Sequence, residues 1–124
     1  LGTLAGIALT LVAFPKFAFS QAKKVALPLA KAEKLKKIGG FMVTKIKDKD
    51  LLLIRESETV VHAVDSNCTH EKCGLIYDAA GKRVKCPCHN AYFGLDGKVL
   101  SGPPPKPIMT YPTTLQGDKI IITL

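Results

Sequence analysis

The 124-residue sequence has no internal repeat, no compositional sign of wholesale disorder, and no cysteine outside two short stretches. The first absence excludes solenoids and propellers, which show themselves as a fixed period. Acidic residues are also scarce, with 10 Asp and Glu against 18 Lys and Arg, for a net charge of +8. That excess is local. Residues 21–49 hold nine lysines against Glu33 and Asp48, whereas residues 50–124 carry eight basic and eight acidic side chains. A nucleic-acid binder would carry its basic patch on the folded face, among aromatics and within a recognisable motif. Aromatics are only 6% of this chain and no such motif occurs, so nucleic acid is excluded as a partner.

A full-length membrane span is missing as well. Leu1–Phe14 contains no charge, but its 14 residues rise only about 21 Å as a helix, short of the ~30 Å hydrocarbon core. The sequence opens on a leucine, and the expectation is the far end of a transmembrane helix over residues 1–19, incomplete at its N-terminus. QAKKVALPLAKAEKLKKIGG follows, and its Lys/Ala/Gly composition predicts a flexible tether over residues 20–40, with a short helix at Ala30–Lys37 stopped by Gly39 and Gly40. Lysines directly after a span ordinarily mark the cytoplasmic side, which conflicts with a head domain outside the cytoplasm. Export of an already folded head would reconcile the two.

From Phe41 the pattern becomes that of short β-branched strands: FMVTKI, LLLI, ETVVHAV, RVKC, KVL and KIIITL. Turn residues separate them, among them Asp48 with Lys49, Ala80-Gly81, Asp96-Gly97 and Gly117-Asp118. The prediction is an all-β domain over residues 41–124, an antiparallel sandwich or partly open barrel. His62 lies inside a predicted strand and is read as a surface or packed histidine.

What the chain does have is CTHEKCG from Cys68 and CPCHNAYF from Cys86. Cys68 and His70 stand two apart in one inter-strand segment, and Cys86 and His89 three apart in another. Each segment thus offers one thiolate and one imidazole. Three chemistries compete for this set. A mononuclear zinc takes two Cys and two His, but structural zinc sites usually contain a Cys-x-x-Cys knuckle, and none occurs here. A disulfide scaffold uses the cysteines and ignores the histidines. A binuclear iron–sulfur cluster with two Cys on one iron and two His on the other leaves Cys73 and Cys88 as a matched extra pair.

The two boxes resemble those of Rieske iron–sulfur proteins, in the disulfide-bearing branch of quinol-oxidising cytochrome bc-type complexes. GLDGKVLSGPPPKP (Gly94–Pro107) is similar to the glycine–proline loop of that branch. The resemblance implies a Rieske-type β-fold with a cluster-binding subdomain and a [2Fe–2S] cofactor. It assigns Cys68 and Cys86 to the inner iron, His70 and His89 to the outer one, and Cys73–Cys88 to a disulfide. Gly102, Pro103, Pro104 and Pro105 become a wall beside the cluster. His89 is the implied quinol contact, with His70 beside it. The implied activity is that of the redox subunit of a membrane quinol:cytochrome c oxidoreductase, taking an electron and a proton from hydroquinone and passing the electron to a c-type cytochrome. A cytochrome b-type membrane subunit, a c-type cytochrome, quinol and the membrane are its implied partners, with the head on the periplasmic or equivalent outer side. Alternatives are an anchored electron-transfer subunit similar to the small subunit of arsenite oxidase, and a non-redox, zinc-stapled binding module.

Four positions depart from the branch. Its members often carry Ser and Tyr hydroxyls where this chain has Ala91 and Phe93, and commonly Leu-Gly where it has Glu71 and Lys72. Hydrogen bonds to cluster and ligand sulfur stabilise the reduced, more negative state, so their loss lowers the potential. A hydrogen bond to a charged group is worth ~1.5–3 kcal/mol, so a fraction of two such bonds amounts to on the order of 100 mV. The expected midpoint is in the middle or lower part of the roughly −150 to +300 mV Rieske range, which suits menaquinol. A redox titration followed by EPR checks it: Ala91→Ser and Phe93→Tyr should each raise the midpoint, and a wild-type value above that of hydroxyl-bearing members would contradict it.

Overall fold

A computed structural model describes residues 23–69, 73–102 and 106–124. Its organising element is β3 (Lys49–Arg55), in which Leu51, Leu52, Leu53 and Ile54 are all fully buried. An uninterrupted apolar run of this length belongs to a strand covered on both faces, and alternate side chains here enter two separate cores. Leu52 and Ile54 pack with Val64, Leu75, Tyr77, Val84 and Phe93, a cluster that includes Cys68 and Cys86. Leu51 and Leu53 pack with Ala32, Leu35, Val61, Ala63, Ile120 and Ile122.

Three antiparallel sheets result. The middle one is ordered β2 (Phe41–Ile46), β3, β4 (Val61–Asp65), β9 (Thr110–Tyr111). Against the Leu51/Leu53 face lies β1 (Lys24–Pro28), β11 (Lys119–Thr123), β10 (Thr113–Gln116). Against the Leu52/Ile54 face lies β5 (Ile76–Asp78), β6 (Arg83–Cys86), β7 (Ala91–Phe93), β8 (Val99–Ser101). The all-β antiparallel expectation holds, and β2 and β6 coincide with the predicted FMVTKI and RVKC. The β2–β3 turn falls on Lys47 and Asp48, both at positive φ (49° and 67°), as a two-residue hairpin of right-handed twist requires.

The tether does not extend as far as predicted. From Lys24 onward the segment is part of the fold: β1 pairs with β11 in register from Lys24↔Thr123 to Pro28↔Lys119. The expected helix is two 3₁₀ turns, Leu29–Lys31 and Glu33–Leu35, between which Ala32 is fully buried, as is Leu35. Alternating apolar residues in a lysine-rich stretch give this segment a buried side that its composition concealed. The predicted transmembrane helix over residues 1–19 lies outside the described residues. Among the described residues no helix is long and apolar enough to cross a membrane.

Arg55 clamps the 3₁₀ turns to the middle sheet. Its guanidinium is largely buried and donates from Nη1 to Leu35 O at 2.7 Å, from Nε to Ser57 O at 2.7 Å and from Nη2 to Glu58 O at 2.9 Å. A buried cation is tolerable only when hydrogen-bonded in this way, and its removal strands the carbonyls it served. His62, on β4, is half-buried and paired with Glu56 at 2.6 Å, a packed position away from the metal-ligating candidates.

Arg55→Met should therefore destabilise the domain by about 3 kcal/mol in denaturant titration, with amide exchange accelerated first over residues 33–40. An unchanged midpoint would mean that the clamp is dispensable. Tyr111 gives a second expectation. Burial, and then the carboxylate of Asp65 that its hydroxyl meets at 2.9 Å, push its pKa up to about 12. The neutral phenol is favoured by the fold, so its contribution is complete below the ordinary tyrosine value of 10.0 and is lost as pH rises towards about 12. Tyr111→Phe should abolish that part of the alkaline fall in stability; a fall of unchanged steepness would contradict it.

Candidate metal centre

Two loops rise from adjacent elements of the Leu52/Ile54 side. The first follows β4. Ser66 N donates to Asp50 O at 3.0 Å, Leu75 N to Ser66 O at 2.8 Å and Cys68 N to Cys73 O at 2.9 Å, and Asn67 bridges Gly74. These bonds close residues 67–74 at their base and fix Cys68 at the rim of the core. The second loop is the turn Pro87–Asn90 between β6 and β7, where Cys86 opposes Ala91 in register. Asn90 reverses the chain in a left-handed conformation (φ 54°), which asparagine tolerates better than most residues.

The loops bring three of the four predicted ligands together. The Sγ atoms of Cys68 and Cys86 and a ring nitrogen of His89 all lie within 4.8 Å of one another. Cys86 Sγ is 3.3 Å from His89 Nδ1. Both thiols are unbridged and buried, at 4% and 0% exposure, whereas His89 is partly exposed. His70 and Glu71 lie outside the described residues.

The electrostatics fit a bound metal. Burial pushes the Cys86 thiol above its ordinary value, and the neighbouring Cys68 sulfur adds to the effect. A buried thiol raised in this way stays protonated on its own, and a metal cation is the partner that converts it into a thiolate ligand.

Cys73 and Cys88 form a disulfide across the two loops, with Cα atoms 6.4 Å apart and 15 residues between them in sequence. The bridge cross-links the flank of one ligand loop to the middle of the other. A third segment closes the site. Gly102 sits at φ +106°, and a Cβ there would lie 2.6 Å from Ala91 Cβ, so only glycine lets the chain pass this close to β7. Pro103, Pro104 and Pro105 lie outside the described residues, but beyond them Lys106 O accepts a hydrogen bond from Thr69 Oγ1 at 2.9 Å. Sequence reasoning assigned no role to Thr69 or Asn90. A hydroxyl between two predicted ligands and an asparagine directly after a third were the available signals.

Ala91 and Phe93 are fully buried on the ligand side of β7. Tyr92, between them, points to the other face, where the Arg83 guanidinium stacks 3.7 Å from its ring centroid. Its hydroxyl therefore does not replace those missing at 91 and 93. Arg83 also meets Asp78 at 3.0 Å and, chiefly through that hydrogen bond, holds the carboxyl below its ordinary value.

Comparison with known proteins agrees with this geometry. The model of the Rieske [2Fe-2S] domain family matches residues 25–112. The cytochrome b6-f complex iron-sulfur subunit of Chlorobaculum tepidum is 30% identical over 86 residues, covering 69% of this chain and 47% of that protein. The chain thus spans about half the length of that curated relative. Among solved structures, the cyanobacterial plasma membrane Rieske protein PetC3 from Synechocystis PCC 6803 superposes with a TM-score of 0.60 at 28% identity, over 77% of this chain and 93% of that one. A chain of a hyperthermophilic respiratory Complex III gives 0.56 at 28% identity, over 77% and 71%. With a family match that begins in β1, runs through both ligand loops and ends just after β9, the chain belongs to the Rieske [2Fe-2S] domain family and its cofactor is a [2Fe–2S] cluster.

Proposed function

We propose that this chain is the electron-transfer subunit of a membrane quinol:cytochrome c oxidoreductase. Cys68 and Cys86 hold one iron of its cluster, and His70 and His89 the other. The observation that carries the reading is the convergence of Cys68, Cys86 and His89 beneath a Cys73–Cys88 bridge. The soluble Rieske ferredoxins lack that second cysteine pair, so the bridge favours the quinol-oxidising branch. The cytochrome b6-f subunit among its relatives supports the same assembly.

Bound at these four side chains, the cluster supplies a one-electron acceptor whose histidine ligation raises its potential above that of all-cysteine ferredoxins. The chain's own residues set the rest. Cys68 and Cys86 lie on the core side and keep water from one half of the site. His89 stands at its partly exposed edge, with Nδ1 turned to the Cys86 sulfur, and is the residue that meets the hydroquinone. Ala91 and Phe93 offer no hydroxyl to the sulfurs, and the lower potential this produces makes menaquinol the fitting donor. A cytochrome b-type subunit presents that donor and a c-type cytochrome receives the electron. The disulfide fits an oxidising compartment and supports a head on the periplasmic or equivalent outer side, with the charge-free Leu1–Phe14 as part of its anchor.

The test is made in membranes of the source organism. A menaquinol analogue should reduce the chain's EPR signal and then a c-type cytochrome, and deletion of the chain should abolish both steps. Cytochrome reduction that survives the deletion, or a signal that the quinol never reduces, would overturn the assignment.

A further inference from the structure

The basic stretch of the sequence is divided by the fold between two places, and one of them forms a surface. β3 starts at the ligand loops, where Asp50 O receives Ser66 N two residues before Cys68. It ends roughly 17 Å away at Arg55, whose backbone O receives Gly39 N and whose guanidinium holds Leu35 O. β6 runs the opposite way, from Arg83 to the candidate ligand Cys86, so its start lies at the end where β3 finishes. The turn that precedes it, Ala79–Lys82, adjoins Gly39: a Cβ on Gly39 would lie 3.6 Å from Ala79 Cβ. The two 3₁₀ turns and Lys82 therefore share the end of the domain opposite the ligand loops. Lys45, Lys47 and Lys49 lie at the other end, around the β2–β3 turn.

At the distal end Lys31, Lys34, Lys37 and Lys82 are exposed, and none has an ion-pair partner among the described residues. Three of the local acids are occupied: Glu33 is held by Lys36 at 2.6 Å, Asp78 by Arg83 at 3.0 Å and Glu56 by His62 at 2.6 Å, which leaves Glu58 and Asp118, whose backbone O receives Leu29 N. Lys31 closes the first 3₁₀ turn, Lys34 lies in the second and Lys37 follows it, so the three are brought to one end of the domain by the two turns. Beside Lys37, Ile38 is 53% exposed.

We propose that this end is a docking face for anionic phospholipid headgroups, with Lys31, Lys34, Lys37 and Lys82 meeting phosphates and Ile38 reaching the interface. An exposed isoleucine among unpaired lysines matches a surface that offers negative charge above hydrocarbon. The proposal rests in part on the anchor reading above, because β1 starts at Lys24 and nine residues, 15–23, can span at most about 30 Å between it and Leu1–Phe14. Docked in this way, the head turns its ligand loops away from the bilayer. The lysines that conflict with a cytoplasmic-side rule for loops then belong to a folded surface that uses them.

The full chain, reconstituted in phosphatidylcholine vesicles with and without phosphatidylglycerol, is labelled with an amine-acetylating reagent and read by peptide mass spectrometry. Labelling of Lys31, Lys34, Lys37 and Lys82 should slow only on the anionic vesicles and recover at high salt, while Lys45 and Lys47 stay unchanged. In the variant Lys31→Gln/Lys34→Gln/Lys37→Gln, the docked-to-undocked ratio reported by Lys82 should fall on the order of 100-fold, from roughly fivefold per lysine. Unchanged Lys45 labelling in that variant shows that the fold is intact. Equal labelling on both kinds of vesicle, or equal slowing on neutral lipid, would overturn the proposal. Extraction from neutral vesicles by alkaline carbonate reports separately on the anchor, whose failure leaves the lysine result readable.

Discussion

Burial of β3 on both faces is the constraint from which the rest of this domain follows. Four adjacent apolar side chains, Leu51 to Ile54, contribute roughly 1.5–3 kcal/mol each when removed from water, and they do so only if both faces of their sheet are covered. One cover is the sheet that carries β1, β10 and β11. The other is the small sheet β5–β8, whose strands of three or four residues are too short to stand alone. The ligand loops belong to this second layer, and Cys68 and Cys86 are members of the core it shares with Leu52 and Ile54. The metal centre is in this sense an extension of the core, set where the apolar packing gives way to solvent.

That arrangement assigns different tasks to residues of the same type. Cys68 and Cys86 face inwards as buried thiols, while Cys73 and Cys88, from the same two loops, face each other and close the site. Ala91 and Phe93 complete the inner wall, and the approach of Gly102 to Ala91 brings a third segment over it. Thr69 joins that segment back to the first ligand loop. Three stretches far apart in sequence thus meet around one point, and the hydrogen bonds among them are chiefly to backbone.

Much of this was legible in the sequence, and for identifiable reasons. β2 and β6 were found by their β-branched residues, and the buried β3 by its unbroken LLLI run. The ligand candidates and the bridging pair were marked by spacing together with resemblance, and the structure brings Cys68, Cys86 and His89 together and joins Cys73 to Cys88. β5, β7, β9 and β10 were not found, because two to four residues carry too little periodicity of their own. Residues 24–40 were misread for a different reason. Their lysines dominate the composition, while the side chains that anchor the segment, Ala32 and Leu35, are two small signals whose partners Ile120 and Ile122 lie almost ninety positions later. The clamp from Arg55 to Leu35 O spans 20 residues and leaves no local mark at either end.

The central claim is that two cysteines and two histidines of this chain hold a single binuclear iron–sulfur cluster. It is tested most directly by metal and acid-labile sulfide analysis of the purified chain, combined with electron–nuclear double resonance of its reduced state. The account predicts two irons and two sulfides per chain, with couplings from two histidine nitrogens. One zinc per chain and no visible absorbance, or iron with no nitrogen coupling, would contradict it.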